Sequence, residues 1–161
     1  MNDYAITISS EVHPMYTAGS TGALIDGMKG TENWRTGEWQ SYFNRDFEAI
    51  VDLKKKTKLG YVGIHVLEDI SPWILFPQEV IFYTSTDGKT YMEAGRVKND
   101  SGKQPDSRGT REMGLKLSLD ARYIKIRAVN GGKLPDWHES AGSPSHLFID
   151  EIVIREGKTD F

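Results

Sequence analysis

The chain has 161 residues, 38% hydrophobic and 27% charged, with four Trp, seven Tyr and six Phe, a length and composition that describe one folded domain around a single core. A formal net charge of -3 with mixed signs along the chain leaves no broad basic field for nucleic acid or an anionic membrane. No cysteine is present, which excludes disulfides, thiolate zinc sites and cysteine nucleophiles, and no apolar run approaches the length that crosses a membrane.

The first residues, "MNDYAITISS", lack the basic and apolar regions of a signal peptide. In "GALIDGMKGTENW" the pairs Asp26-Gly27 and Lys29-Gly30 make a tight loop where one carboxylate, the Thr31 hydroxyl and several carbonyls can converge. Such oxygen donors suit a hard cation, calcium better than magnesium, although a plain turn is the commoner meaning of Asp-Gly. "NWRTGEWQSY" follows, with Arg35, Trp39 and Tyr42; Trp34 reads as a core plug and Trp39 as an exposed aromatic.

Short runs of period-two alternation then recur between turn signals, the pattern of half-buried antiparallel strands. "FEAIVDL" sends Phe47, Ala49, Val51 and Leu53 to one face, and the basic "DLKKKTKLG" reads as a solvated turn after it. "YVGIHVL" presents Val62, Ile64 and Val66; "EVIFYTS" presents Val80, Phe82 and Thr84; "RYIKIRAV" presents Ile124, Ile126 and Ala128. Asp87-Gly88 in "STDGKTY" is a hairpin turn. The polar stretch from Val97 to Thr110 is the candidate mobile loop.

Two loops carry aromatic and hydrogen-bonding residues together. "EDISPWILFP" holds Glu68, Asp69 and Trp73, and "NGGKLPDWHES" holds Asn130, Asp136, Trp137, His138 and Glu139. An aromatic face and planar polar groups are what a pyranose requires. The bland reading stands beside it: loop tryptophans often pin their loop, "SPWILFP" can lie inward as a small satellite core, and His138 can be a structural hydrogen-bonder.

The last strand, "LFIDEIVI", alternates Phe148, Asp150, Ile152 and Ile154 against Leu147, Ile149, Glu151 and Val153. Both faces are aliphatic, so at least one carboxylate is buried and needs compensation, from an arginine or from backbone N–H groups.

The ordered set "YTAGSTGALIDGMKGTENWRTGEWQSY", "FEAIVDLKKKTKLGYVGIHVL", "PQEVIFYTSTDGKTY", "ARYIKIRAVN" and "LFIDEIVI" resembles the discoidin, or coagulation factor V/VIII C-type, domains from about Tyr16 to Ile154. Their bacterial branch includes the family 32 carbohydrate-binding modules. "EDISPWILFPQEV" with "KLPDWHESAG" is similar to C-terminal modules of secreted bacterial family 20 β-hexosaminidases. The resemblance implies an all-β, antiparallel jelly-roll sandwich of the galactose-binding type, spanning 1–161 as one domain of a larger secreted, periplasmic or cell-surface protein.

It also implies a structural calcium held by Asp26, Thr31, Glu151 and carbonyls near Ala23 and Lys29, though Trp34 stands one position later than the family's usual tryptophan. The ligand end would carry Arg35, Trp39, Asp69, Trp73, Asn130, Trp137 and His138. In the family both loops follow strands running in one direction, so they should share one end of the sandwich.

Four scattered histidines, His13, His65, His138 and His146, show no metal-ligand spacing, no nucleophile elbow appears, and nothing singles out a pair among Asp69, Asp136 and Glu139. An enzyme is the poorer reading. The expected function is a non-catalytic carbohydrate-binding module, monomeric as an isolated domain, that keeps an attached glycosidase near glycans ending in galactose, GalNAc or GlcNAc. The alternative is a structural module whose Trp73 and Trp137 loops dock on the neighbouring catalytic domain.

Overall fold

The computed structural model describes residues 4–8, 40–69, 73–99, 108–135 and 137–157. Seven strands are found among them: β1 (Ala5–Ile8), β2 (Gln40–Phe43), β3 (Phe47–Asp69), β4 (Glu79–Ser85), β5 (Met92–Lys98), β6 (Arg108–Val129) and β7 (His146–Glu156). They pair in the order β2-β7-β3-β6-β4-β5, with β1 added to β3, and every pairing is antiparallel.

Two strands of unusual length turn this one sheet into two layers. β3 has 23 residues and β6 has 22. The first part of β3, Phe47 to Asp52, pairs with β1 and with Tyr123 to Ala128; after a register shift its second part, Thr57 to Asp69, pairs with the start of β6 and with β7. One layer is therefore β1, early β3, late β6, β4 and β5, and the other is β2, β7, late β3 and early β6. The main core lies between, with Phe47, Ala49, Val51, Val80, Phe82, Ile124 and Ile126 facing Leu59, Val62, Ile64, Val66, Leu147 and Ile149.

The basic run expected as a turn between two strands is instead the corner within β3. Lys54 takes a left-handed backbone (φ 72°) and Lys54 to Lys56 are exposed, while the strand continues on both sides. Asp52 holds the corner: it accepts from Lys54 N at 2.8 Å and from Arg122 at 3.0 and 3.2 Å. The expected loop from Val97 to Thr110 is shorter than read, because β5 continues to Lys98 and β6 begins at Arg108; 100–107 lie outside the described residues.

In β7 the strict alternation fails at one point. Opposite β3, His65 pairs with Glu151 but Val66 pairs with Ile149, so Asp150 is the extra residue of a β-bulge. Leu147, Ile149, Ile152 and Ile154 all contact the main core, and the bulge between them keeps both acids off it. Among the described residues His65 is a partner of Asp150, its Nδ1 lying 2.7 Å from the carboxylate.

Candidate functional site

The loop between β3 and β4 and the loop between β6 and β7 meet at one end of the sandwich, as their shared direction implied. Asp69, half-buried at the end of β3, exchanges two 3.0 Å backbone hydrogen bonds with Ile74. Ile74 bridges in parallel to His146, whose N–H donates to the Trp73 carbonyl at 2.7 Å and whose carbonyl accepts from Leu75 at 3.1 Å. The hydrophobic "ILFP" is buried, Ile74 with Leu67 and Phe148, and Leu75 with Leu134. Trp73 packs half-buried on Leu75 and Leu134. Its backbone is left-handed (φ 72°), a conformation that costs a non-glycine residue about 1–2 kcal/mol; the β7 hydrogen bond and the packed indole hold it there.

Asn130 organises this end. Its Nδ2 donates to the carbonyls of Arg45 and Ser145 at 3.2 and 3.3 Å, and its Oδ1 accepts from Gly132 N at 2.9 Å with the Ser145 hydroxyl 3.1 Å away. Its own N–H donates to Asp46 and its carbonyl accepts from Gln78 Nε2, both at 2.9 Å. Those bonds use the amide group to fasten three loops, so Asn130 sits beneath the surface as their tie. His138 is likewise buried, with Nδ1 accepting from Ser140 N at 2.9 Å. Trp137, by contrast, stands 45% exposed in the same loop.

A hollow of about 650 Å³ opens at this end, lined by Phe76, Gln78, Glu79, Lys98, Asn99, Val129 and the run Gly131 to Lys133. The wall depends on glycine for close packing: a Cβ at Gly131 would stand 2.7 Å from Leu75 Cβ and 2.8 Å from the Phe76 carbonyl, and Gly132 has φ +88°. Backbone bonds from Gln78 N to Val129 O (2.8 Å) and from Asn99 N to Gln78 O (2.9 Å) fix the rim. Arg111 stacks its guanidinium 4.6 Å over the Phe76 ring and donates to Asn99 Oδ1 at 3.0 Å. The hollow is mainly polar, with Phe76 and Val129 as its apolar side chains, and oriented polar groups of this kind are what fix a small ligand in a concave site.

None of the hollow's lining residues was among those expected to bind. Asp69, Trp73, Asn130, Trp137 and His138 are brought to the same end, but Asn130 and His138 support it from beneath. Arg35, Trp39 and Asp136 lie outside the described residues. So do Ala23, Asp26, Lys29 and Thr31 of the expected calcium set. Its remaining member, Glu151, is buried at 5% exposure next to Asp150. A buried carboxylate of this kind fits an oxygen-donor site for a hard cation. Among the described residues no group of three or more His, Cys, Asp or Glu is arranged to hold a metal.

The model of the F5/8 type C domain matches residues 5–147. The chain belongs to that family, the discoidin domains, and its two-layer antiparallel architecture is theirs. Solved structures with the same fold include a fucose-binding module of Streptococcus pneumoniae, 21% identical with a TM-score of 0.62 over 97% of this chain and 93% of that one. The C-terminal domain of a chitobiase from Bacteroides fragilis is 18% identical, with a TM-score of 0.54 over 98% and 96%. The Clostridium perfringens module CpGH89CBM32-5, solved in complex with GalNAc-β-1,3-galactose, is 17% identical, with a TM-score of 0.56 over 94% of each chain. Comparison with curated proteins gives no match.

Proposed function

We propose that the chain is a non-catalytic carbohydrate-binding module whose site is the hollow at the Asn130 end. The observation that carries this reading is the hollow itself, lined by Phe76 and Val129, the amides of Gln78 and Asn99 and the backbone of Gly131 and Gly132, at the end where Trp137 is exposed. The likeness to modules described as fucose-binding or in complex with a GalNAc disaccharide supports a sugar as ligand. In this reading the module serves a secreted bacterial glycoside hydrolase of β-hexosaminidase type and recognises glycans ending in galactose, GalNAc or GlcNAc. Weak affinity suffices there, because tethering raises the local concentration of the attached enzyme.

The docking alternative needs a wide apolar patch. Among the described residues the exposed large hydrophobics are Met92 and Trp137, at opposite ends of the sandwich, and "ILFP" is turned inward. The calcium belongs to the same proposal: Glu151 would hold it with Asp26, Thr31 and the carbonyls of Ala23 and Lys29. Bound there, it would supply a tie between the early loop and the last strand.

The test is a titration with galactose, GalNAc and GlcNAc followed by tryptophan fluorescence, with calcium present. A saturable change is expected with at least one of the three sugars, and it should weaken in Asn99→Ala, which alters the hollow's lining and leaves every tryptophan in place. Silence with all three sugars from a folded protein would favour docking. A melting temperature unchanged by chelator, with no calcium found on metal analysis, would remove the calcium.

A further inference from the structure

The ionisable residues lining the hollow are Glu79, Lys98 and Lys133. They do not balance. The Glu79 carboxylate faces Arg96, whose Nη1 lies 3.4 Å from Oε1 and 3.5 Å from Oε2. Arg96 also pairs with Glu93, so one guanidinium is shared between the two carboxylates, and the three ionisable lining residues carry a net charge of about +1. Lys98 and Lys133 are both exposed, and neither makes an ion pair among the described residues. Two ammonium groups therefore border a concave site on a chain whose formal net charge is -3.

The two lysines arrive from different elements. Lys98 closes β5 opposite Glu79, and Lys133 stands beyond the Gly131-Gly132 turn, where its bridge to Pro144 holds the backbone. They therefore border the hollow from separate segments of its wall. A concave wall with an excess of one sign of charge, here two lysines against Glu79, favours ligands of the other sign, and an ammonium serves as a point-charge partner for a carboxylate or a sulfate.

Resting on the reading of this end as a sugar site, we infer that the hollow between Lys98 and Lys133 selects anionic sugars, those bearing a carboxylate or a sulfate ester, over neutral ones. Phe76, Val129 and the amides hold the ring and its hydroxyls, and the lysines hold the acidic substituent.

The experiment titrates the 161-residue chain with galactose, galacturonic acid and galactose 6-sulfate, following backbone amide shifts. Each exposed charge pair is worth about a two- to five-fold gain in affinity, so at least one acidic sugar is expected to bind several-fold tighter than galactose. That advantage should vanish in the Lys98→Gln, Lys133→Gln double variant and shrink at about 0.5 M salt, where screening shortens the reach of the charges. Preference for galacturonic acid or for the sulfate names the source of the charge. Galactose binding as tightly as both acids, with the double variant unchanged, overturns the selectivity and leaves the sugar site standing. No shift with any of the three, from a folded chain, overturns the sugar reading and this inference with it.

Discussion

Asp150 meets His65 across the β3–β7 pairing at 2.7 Å, and Asp150 is almost wholly removed from water. The bulge makes this possible. A regular strand would have placed one of two successive acids in the main core, whereas the extra residue at Asp150 turns both away from it and towards His65, which lies between core residues Ile64 and Val66. Removing one partner of a buried hydrogen bond costs about 1–3 kcal/mol. His65→Ala should accordingly lower unfolding free energy by about 2 kcal/mol, read from urea titration. A change below about 0.5 kcal/mol, the level of an ordinary surface substitution, would show that the pair does not hold the strand.

The Asp87 turn gives a pH signature. The N–H groups of Thr90 and Lys89 and the Ser85 hydroxyl donate to its carboxylate at 2.8 to 2.9 Å and hold its pKa down at about 2, below the ordinary 3.8. Because the folded value is depressed, the contribution to stability is complete above the ordinary carboxylate range and is lost as pH falls through about 2. Amide shifts of Lys89 and Thr90 should titrate with a midpoint near that value and lose the transition in Asp87→Asn. A midpoint at the ordinary value would mean the turn does not stabilise the charge.

Asn130 is expected to act on the fold before it acts on any ligand. Asn130→Ala removes the amide that ties Arg45, Gly132 and Ser145 together and should cost about 2–3 kcal/mol, several buried polar groups losing a partner at once. Asn130→Asp keeps the acceptor but places a carboxylate against two carbonyl oxygens, so it should be no better. Thermal melts of the two variants decide it; wild-type stability in either would show the tie to be dispensable.

Tyr61 rests on a pair of glycines. Gly63 and Gly114 face each other across β3 and β6, and a Cβ at Gly114 would collide with the Tyr61 hydroxyl and stand 2.6 Å from the Val62 carbonyl. The ring is fixed by its hydroxyl donating to Glu112 at 2.7 Å, and burial followed by that carboxylate raises its pKa to about 12. Gly114→Ala should destabilise by about 1–3 kcal/mol, the range of overpacking. Tyr61→Ala should rescue it only in part, since the Val62 carbonyl cannot retreat; full rescue would place the whole clash in the ring.

The strands were legible because alternation reports burial directly: Val62, Ile64 and Val66 were read inward and are inward. Continuity was not legible. The corner at Lys54 and the bulge at Asp150 are set by pairing with β6 and β7, and neither leaves a mark in local pattern. The site was read from its aromatics, which lie at the end where the hollow opens, yet Trp73 is half packed and Asn130 is consumed as a tie. The hollow is made by Gln78, Asn99 and the Gly131-Gly132 pair, whose meaning appears only when the ends of β4, β5 and β6 are brought together. The doubled glycine beside Lys133 was the available signal.

The most direct measurement of the central claim is a map of backbone amide shifts as GalNAc is added to the calcium-loaded chain. Saturable shifts gathered at Gln78, Asn99 and Gly131 to Lys133, with the Asp87 hairpin at the opposite end unmoved, are the expected result. Shifts confined to that hairpin, or none from a folded chain with galactose and GlcNAc equally silent, would contradict the account.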